Sequence, residues 1–91
     1  MKKNRQVSIY ISTSSQLCYL TKEFFRTAGL DFYEYDVEKH PEQLKIMQQK
    51  SGQSMTPVTE IDGRIIVGYQ PEVFNTILNA GDKTESAQQN G

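Results

Sequence analysis

VSIYISTSSQLCYLTKEFF, residues 7–25, is the stretch from which the rest of the chain can be read. Its first five residues alternate, with Val7, Ile9 and Ile11 on one face and Tyr10 on the other, the period-two pattern of a strand. Ser12, Thr13, Ser14 and Ser15 follow, a run of hydroxyls any of which can cap a helix by accepting a backbone N–H. Leu17, Leu20, Phe24 and Ala28 then recur at offsets of three and four. That spacing predicts a helix over 16–28 with an apolar stripe widened by Thr21 and Phe25. Gly29 supplies its stop. The only cysteine of the chain, Cys18, falls near the start of this helix, three residues after Ser15. A helix N-terminus carries unpaired N–H groups and roughly half a unit of positive charge, and both favour a thiolate.

Downstream, residues 31–37 are rich in aromatic and β-branched side chains (Phe32, Tyr33, Tyr35, Val37) and predict a second strand. Pro41 is suited to the first turn of a second helix, whose thin stripe is Leu44 and Met47 and whose end is Gly52. Strand, helix, strand in this order implies a parallel pair. Pro57 closes a loop, after which residues 58–61 and 65–67 flank Asp62-Gly63, a strong hairpin signal because both turn positions need positive φ. A turn at Gly68-Tyr69-Gln70-Pro71 opens a last helix with Val73, Phe74, Ile77 and Leu78 on one face and Gly81 as its stop. The order is β-α-β-α-β-β-α. Residues 1–5 read as a basic lead-in, 6–80 as one domain, and 81–91 as a disordered polar tail.

Ten basic and eleven acidic residues leave a net charge near zero, so no broad basic face points to nucleic acid. One cysteine closes no disulfide within the chain, and the expected setting is a reducing cytoplasm. No apolar run approaches the ~18 residues of a membrane span. One cysteine and one histidine (His40) are too few for a zinc site within one chain, so no metal is expected. The chain reads as a monomer.

The element order, the thiol at the first helix and the Thr56-Pro57 step before the hairpin together resemble the thioredoxin fold, and more closely a small glutaredoxin or glutaredoxin-like redoxin. The resemblance spans residues 7–78. It implies an α/β domain with a four-stranded mixed sheet in the order 2-1-3-4, flanked by helices on both faces. Aligning Tyr10 and Lys22-Glu23-Phe24 places Ser15-Gln16-Leu17-Cys18 on the family's C-x-x-C motif. Cys18 then stands at the second cysteine, and Ser15 replaces the first, nucleophilic one. The family's cis-proline loop falls on Thr56-Pro57 and its late glycine turn on Gly68-Tyr69. The Gly-aromatic-x-Pro-acid form of that turn looks more like the redoxins serving ribonucleotide reductase than the glutathione-using members.

The resemblance implies a thiol–disulfide redox protein acting on a thiol or disulfide substrate, a protein above all, through Cys18 and Ser15. Thr56, Pro57, Gly68 and Tyr69 would line the substrate groove, with glutathione as a candidate ligand and no firm cofactor. A serine hydroxyl is not ionised near neutral pH and cannot sustain disulfide exchange, so the ordinary dithiol cycle is closed to this chain. Two functions follow: exchange by Cys18 alone, or a redox-inactive module that binds a thiol, peptide or protein in the same groove. For Ser15 the readings are a helix cap or a hydrogen-bond donor to a bound sulfur. For Cys18 they are a working thiol or core packing.

Overall fold

The computed structural model describes residues 5–83. Its elements are β1 (Val7–Ile11), α1 (Gln16–Thr27), β2 (Tyr33–Asp36), α2 (Pro41–Ser51), β3 (Val58–Ile61), β4 (Arg64–Val67) and α3 (Pro71–Lys83). The strands form one mixed sheet in the order β2-β1-β3-β4. β1 runs parallel to β2, with Ile11 opposite Asp36, and antiparallel to β3, with Tyr10 opposite Val58. β3 and β4 make a hairpin whose turn residues both have positive φ, +50° at Asp62 and +89° at Gly63, as an Asp-Gly turn requires.

The sheet is covered on both faces, which explains why β1 buries Tyr10 as well as its aliphatic set. Val7, Ile9, Ile11, Ile61 and Ile66 face α1 and α3 and pack around Phe25 and Phe74, whose ring centroids lie 5.0 Å apart. On the opposite face Tyr10 and Val58 pack with Val37 and with Met47 of α2. This places the C-terminal end of the central strand β1 directly before the α1 N-terminus, the position at which open α/β sheets present their chemistry.

The structure corrects several boundaries and one face. The fully buried side of α1 is Cys18, Thr21 and Phe25, the last two being the residues expected to widen the stripe, while of the stripe's centre only Phe24 packs against the core. Leu17 is 48% exposed and Leu20 36%. Helical neighbours sit 100° apart, so the two stripes are adjacent, and Thr21 can be buried because its hydroxyl donates to Leu17 O at 2.8 Å. Ala28 is the C-cap, and Gly29 follows at φ +76°. β2 is four residues long rather than seven, since only that part pairs with β1. The second helix begins at Pro41, in agreement with the place of that proline in its first turn.

On α3, Val73 is 37% exposed while Phe74 is fully buried. The helix passes through Gly81 to Lys83. A glycine inside a helix costs only about 1 kcal/mol, too little to compel a stop. Residues 84–91 of the expected tail, like 1–4 of the lead-in, lie outside the described residues.

Candidate functional site

Of the four hydroxyls after β1, Ser15 is the one that caps α1. It has extended backbone (φ −88°, ψ 125°), and its Oγ accepts the Cys18 N–H at 3.3 Å. The chain from Ser15 to Cys18 is therefore a single cap turn, with the serine half-buried at its mouth and the cysteine on its inner side. Cys18 is 1% exposed. Its Sγ accepts a hydrogen bond from the Ser12 N–H at 3.4 Å, so the sulfur is held against the end of β1.

The remaining predicted residues assemble on the other side of Ser12. Its Oγ lies 2.8 Å from Thr56 Oγ1. The Thr56–Pro57 peptide is cis, as the resemblance implied. Pro57 is buried, and its carbonyl accepts the Gly68 N–H at 2.8 Å. Gly68 has φ +88°, a conformation open to glycine, and turns the chain toward α3. Tyr69 follows, half-buried with its ring 6.4 Å from that of Phe74. An unbroken set of hydrogen bonds thus runs from Ser15 through Cys18, Ser12 and Thr56–Pro57 to Gly68. Met55, just before this loop, is 73% exposed, and with Leu17 it adds apolar surface to the elements that form the site.

A second wall was not visible in the sequence. The Thr13 hydroxyl donates to Asp36 Oδ2, and the Thr13 N–H donates to Glu38 Oε1 at 3.3 Å. Asp36 Oδ1 in turn accepts the N–H groups of Glu38 and Lys39. Chiefly because of the Thr13 hydrogen bond, the Asp36 carboxyl titrates below its ordinary value, and the two backbone N–H groups add to the effect. A groove of about 230 Å³ opens here on the β2 side of α1, lined among others by Ser15, Cys18, Tyr19, Lys22 and Lys39. Lys22 closes one edge through a 2.9 Å ion pair with Glu34. No residue type in the sequence marks a contact between positions 13 and 36.

His40 is exposed at the start of α2, its backbone N–H donating to the Asp36 carbonyl at 3.0 Å and its Nδ1 3.8 Å from Glu42. Among the described residues no three His, Cys, Asp or Glu side chains converge as a metal site, and no helix is long and apolar enough to cross a membrane.

A cysteine-bearing turn between the central strand and the first helix, facing a cis-proline loop across one hydroxyl pair, defines a thioredoxin-fold protein of the redoxin class. The family model for glutaredoxin matches residues 7–66. A glutaredoxin-like 8.6 kDa protein encoded in the rubredoxin operon of Clostridium pasteurianum is 35% identical over 72 residues, covering 79% of this chain and 96% of that protein. The chain belongs to the glutaredoxin family.

Solved structures agree on the fold. A thioredoxin-like protein crystallised as a mutant superposes with a TM-score of 0.77 at 26% identity, over 81% of this chain and 95% of its own. The NrdH-redoxin of Escherichia coli, a glutaredoxin-like protein, gives 0.72 at 24% identity over 79% and 93%.

Proposed function

We propose that this glutaredoxin-family chain is a binding module that takes a thiol- or disulfide-bearing protein segment onto the surface between the α1 N-terminus and the Thr56–Pro57 loop, without running a dithiol cycle. The state of Cys18 carries the reading: it is 1% exposed, with its sulfur accepting the Ser12 N–H. Disulfide exchange requires a thiolate free to approach a sulfur, and a thiol packed under a helix turn is not so placed. Ser15 occupies the outer position of the motif but supplies only a hydroxyl, which serves the helix as its cap. Recognition is what remains. Ser15, Thr56–Pro57 and Gly68–Tyr69 contact a partner, and glutathione competes for the same surface.

A second reading is favoured by one observation: Cys18 also lines the groove on the β2 side of α1. There the Cys18 thiolate attacks a substrate disulfide, one sulfur bonds to Cys18, and the other leaves as a thiolate. An external thiolate such as that of glutathione then attacks the substrate sulfur of this mixed disulfide, a new disulfide forms between those two sulfurs, and Cys18 leaves as the thiolate.

The test is the iodoacetamide reaction of Cys18 in folded and unfolded protein, paired with an NMR titration by a cysteine-containing peptide and by glutathione. The expected result is a thiol that reacts far more slowly in folded than in unfolded protein, with Ser15, Thr56 and Tyr69 resonances moving on peptide addition. A thiol that reacts as fast folded as unfolded moves the assignment to monothiol exchange. Groove resonances that move with neither ligand overturn the proposal.

A further inference from the structure

We infer that Ser12 is a positioning residue that couples the Cys18 sulfur to the Thr56–Pro57 loop, so that what occupies the groove is felt at the thiol. Each polar group of Ser12 reaches a different member of the site. Its N–H donates to Cys18 Sγ at 3.4 Å, and its carbonyl accepts the Ser15 N–H at 3.3 Å. Its hydroxyl pairs with Thr56 Oγ1 at 2.8 Å, across 44 positions of sequence. The hydroxyl is free for this because Ser15, not Ser12, caps α1.

The residue before it is fixed as well: the Ile11 carbonyl accepts the Val37 N–H at 2.9 Å, anchoring the end of β1 to the strand beside it. With one side pinned, a shift of the Thr56 hydroxyl on ligand contact is taken up by the Ser12 peptide rather than dissipated along the strand. That peptide carries the N–H on the sulfur. Hydrogen bonds weaken steeply with distance and angle, so a small displacement changes the electrostatic environment of Cys18. This inference rests on Thr56–Pro57 being a groove wall.

The test is a double-mutant cycle that uses no ligand, so its failure is distinct from a failure of groove binding. Ser12→Ala removes the hydroxyl and keeps the N–H, Thr56→Val removes the partner hydroxyl at nearly constant shape, and Ser12→Thr restores a hydroxyl. The readouts are the iodoacetamide rate and the 13Cβ resonance of Cys18, both measured well below Tm. Ser12→Ala and Thr56→Val should each raise the rate about fivefold, the scale of one hydrogen bond. The double variant should show about the same fivefold rather than the ~25-fold of independent effects. The resonance should move the same way in all three, and Ser12→Thr should restore rate and resonance. Multiplicative rates, unchanged rates, or faster rates with an unmoved resonance would each overturn the coupling.

Discussion

The Ser15 hydroxyl oxygen stands 3.3 Å from the backbone nitrogen of Cys18, so the residue at the outer position of the motif is turned back onto its own helix. A thiol at that position would stand one cap turn from the existing one. Ser15→Cys should therefore form a disulfide with Cys18 when oxidised glutathione is supplied. The two thiols give up two electrons and two protons, and the glutathione disulfide leaves as two thiols. Mass spectrometry before and after reduction reads the bond. The reduced variant should lose about 1 kcal/mol through the weakened cap. Two thiols that stay free in excess oxidant would show that Ser15 and Cys18 do not occupy the paired positions of the motif.

The orientation of α1 makes a contrasting pair of core predictions. Phe25 is fully buried against Phe24, Phe32 and Phe74, whereas Leu17 is 48% exposed. Phe25→Ala should cost about 3–5 kcal/mol, by lost burial and the cavity left behind. Leu17→Ala should cost less than about 1 kcal/mol. Denaturant melts of both variants decide it, and equal losses would restore the Leu17 stripe.

That stripe also marks how far local sequence could be read. Features set by a few adjacent residues were legible: the alternation of β1, the cap turn before α1, Pro41 at the start of α2, and the Asp62-Gly63 turn. The α1 face was legible only at its edge, in Thr21 and Phe25, because Leu17 and Leu20 are more apolar than Cys18 and Thr21 and which flank meets the sheet is settled by packing. Ser15, Cys18, Thr56, Pro57, Gly68 and Tyr69 could be named only through their resemblance to motif positions. The contacts that join them were not, since Ser12 with Thr56 and Thr13 with Asp36 are distant pairs of small polar residues with no spacing signal.

Thr59 is fully buried on β3, and its Oγ1 has no hydrogen-bond partner among the described residues. A buried hydroxyl without a partner destabilises the fold, and a methyl group of the same shape does not. Thr59→Val should stabilise the protein by about 1 kcal/mol, raising Tm by roughly 4–8 °C for a domain of this size. A scanning melt reads the shift, and a lower Tm would mean that the hydroxyl is satisfied in solution.

Two ion-dependent contacts should show opposite pH windows. Asp36 titrates below its ordinary value, mainly through the Thr13 hydroxyl. Its contribution is therefore present above the unfolded value of about 3.9 and is lost as pH falls through the folded one. Lys50 titrates above its ordinary value, mainly through its hydrogen bond to Glu60. Its contribution is present below the unfolded value of about 10.4 and is lost as pH rises through the folded one. Thr13→Val should thus differ from the parent at neutral pH and converge with it in acid. Glu60→Gln should converge with it in alkali instead. Both effects should be small, since the groups are partly solvated. Urea midpoints across the pH range test the signs.

The Arg5 guanidinium donates to Asp62 at the hairpin turn and to the Leu78 carbonyl of α3 at 2.9 Å. Positions 5 and 78 therefore come together at the end of the sheet opposite the α1 N-terminus. A short engineered linker between them would close the chain into a ring, and new termini could be opened on the exposed surface of α2 without cutting the hydrogen-bond path around Cys18. A reporter or solid support attached at either of these positions would likewise stand a full strand length from the groove, leaving it free to meet a partner.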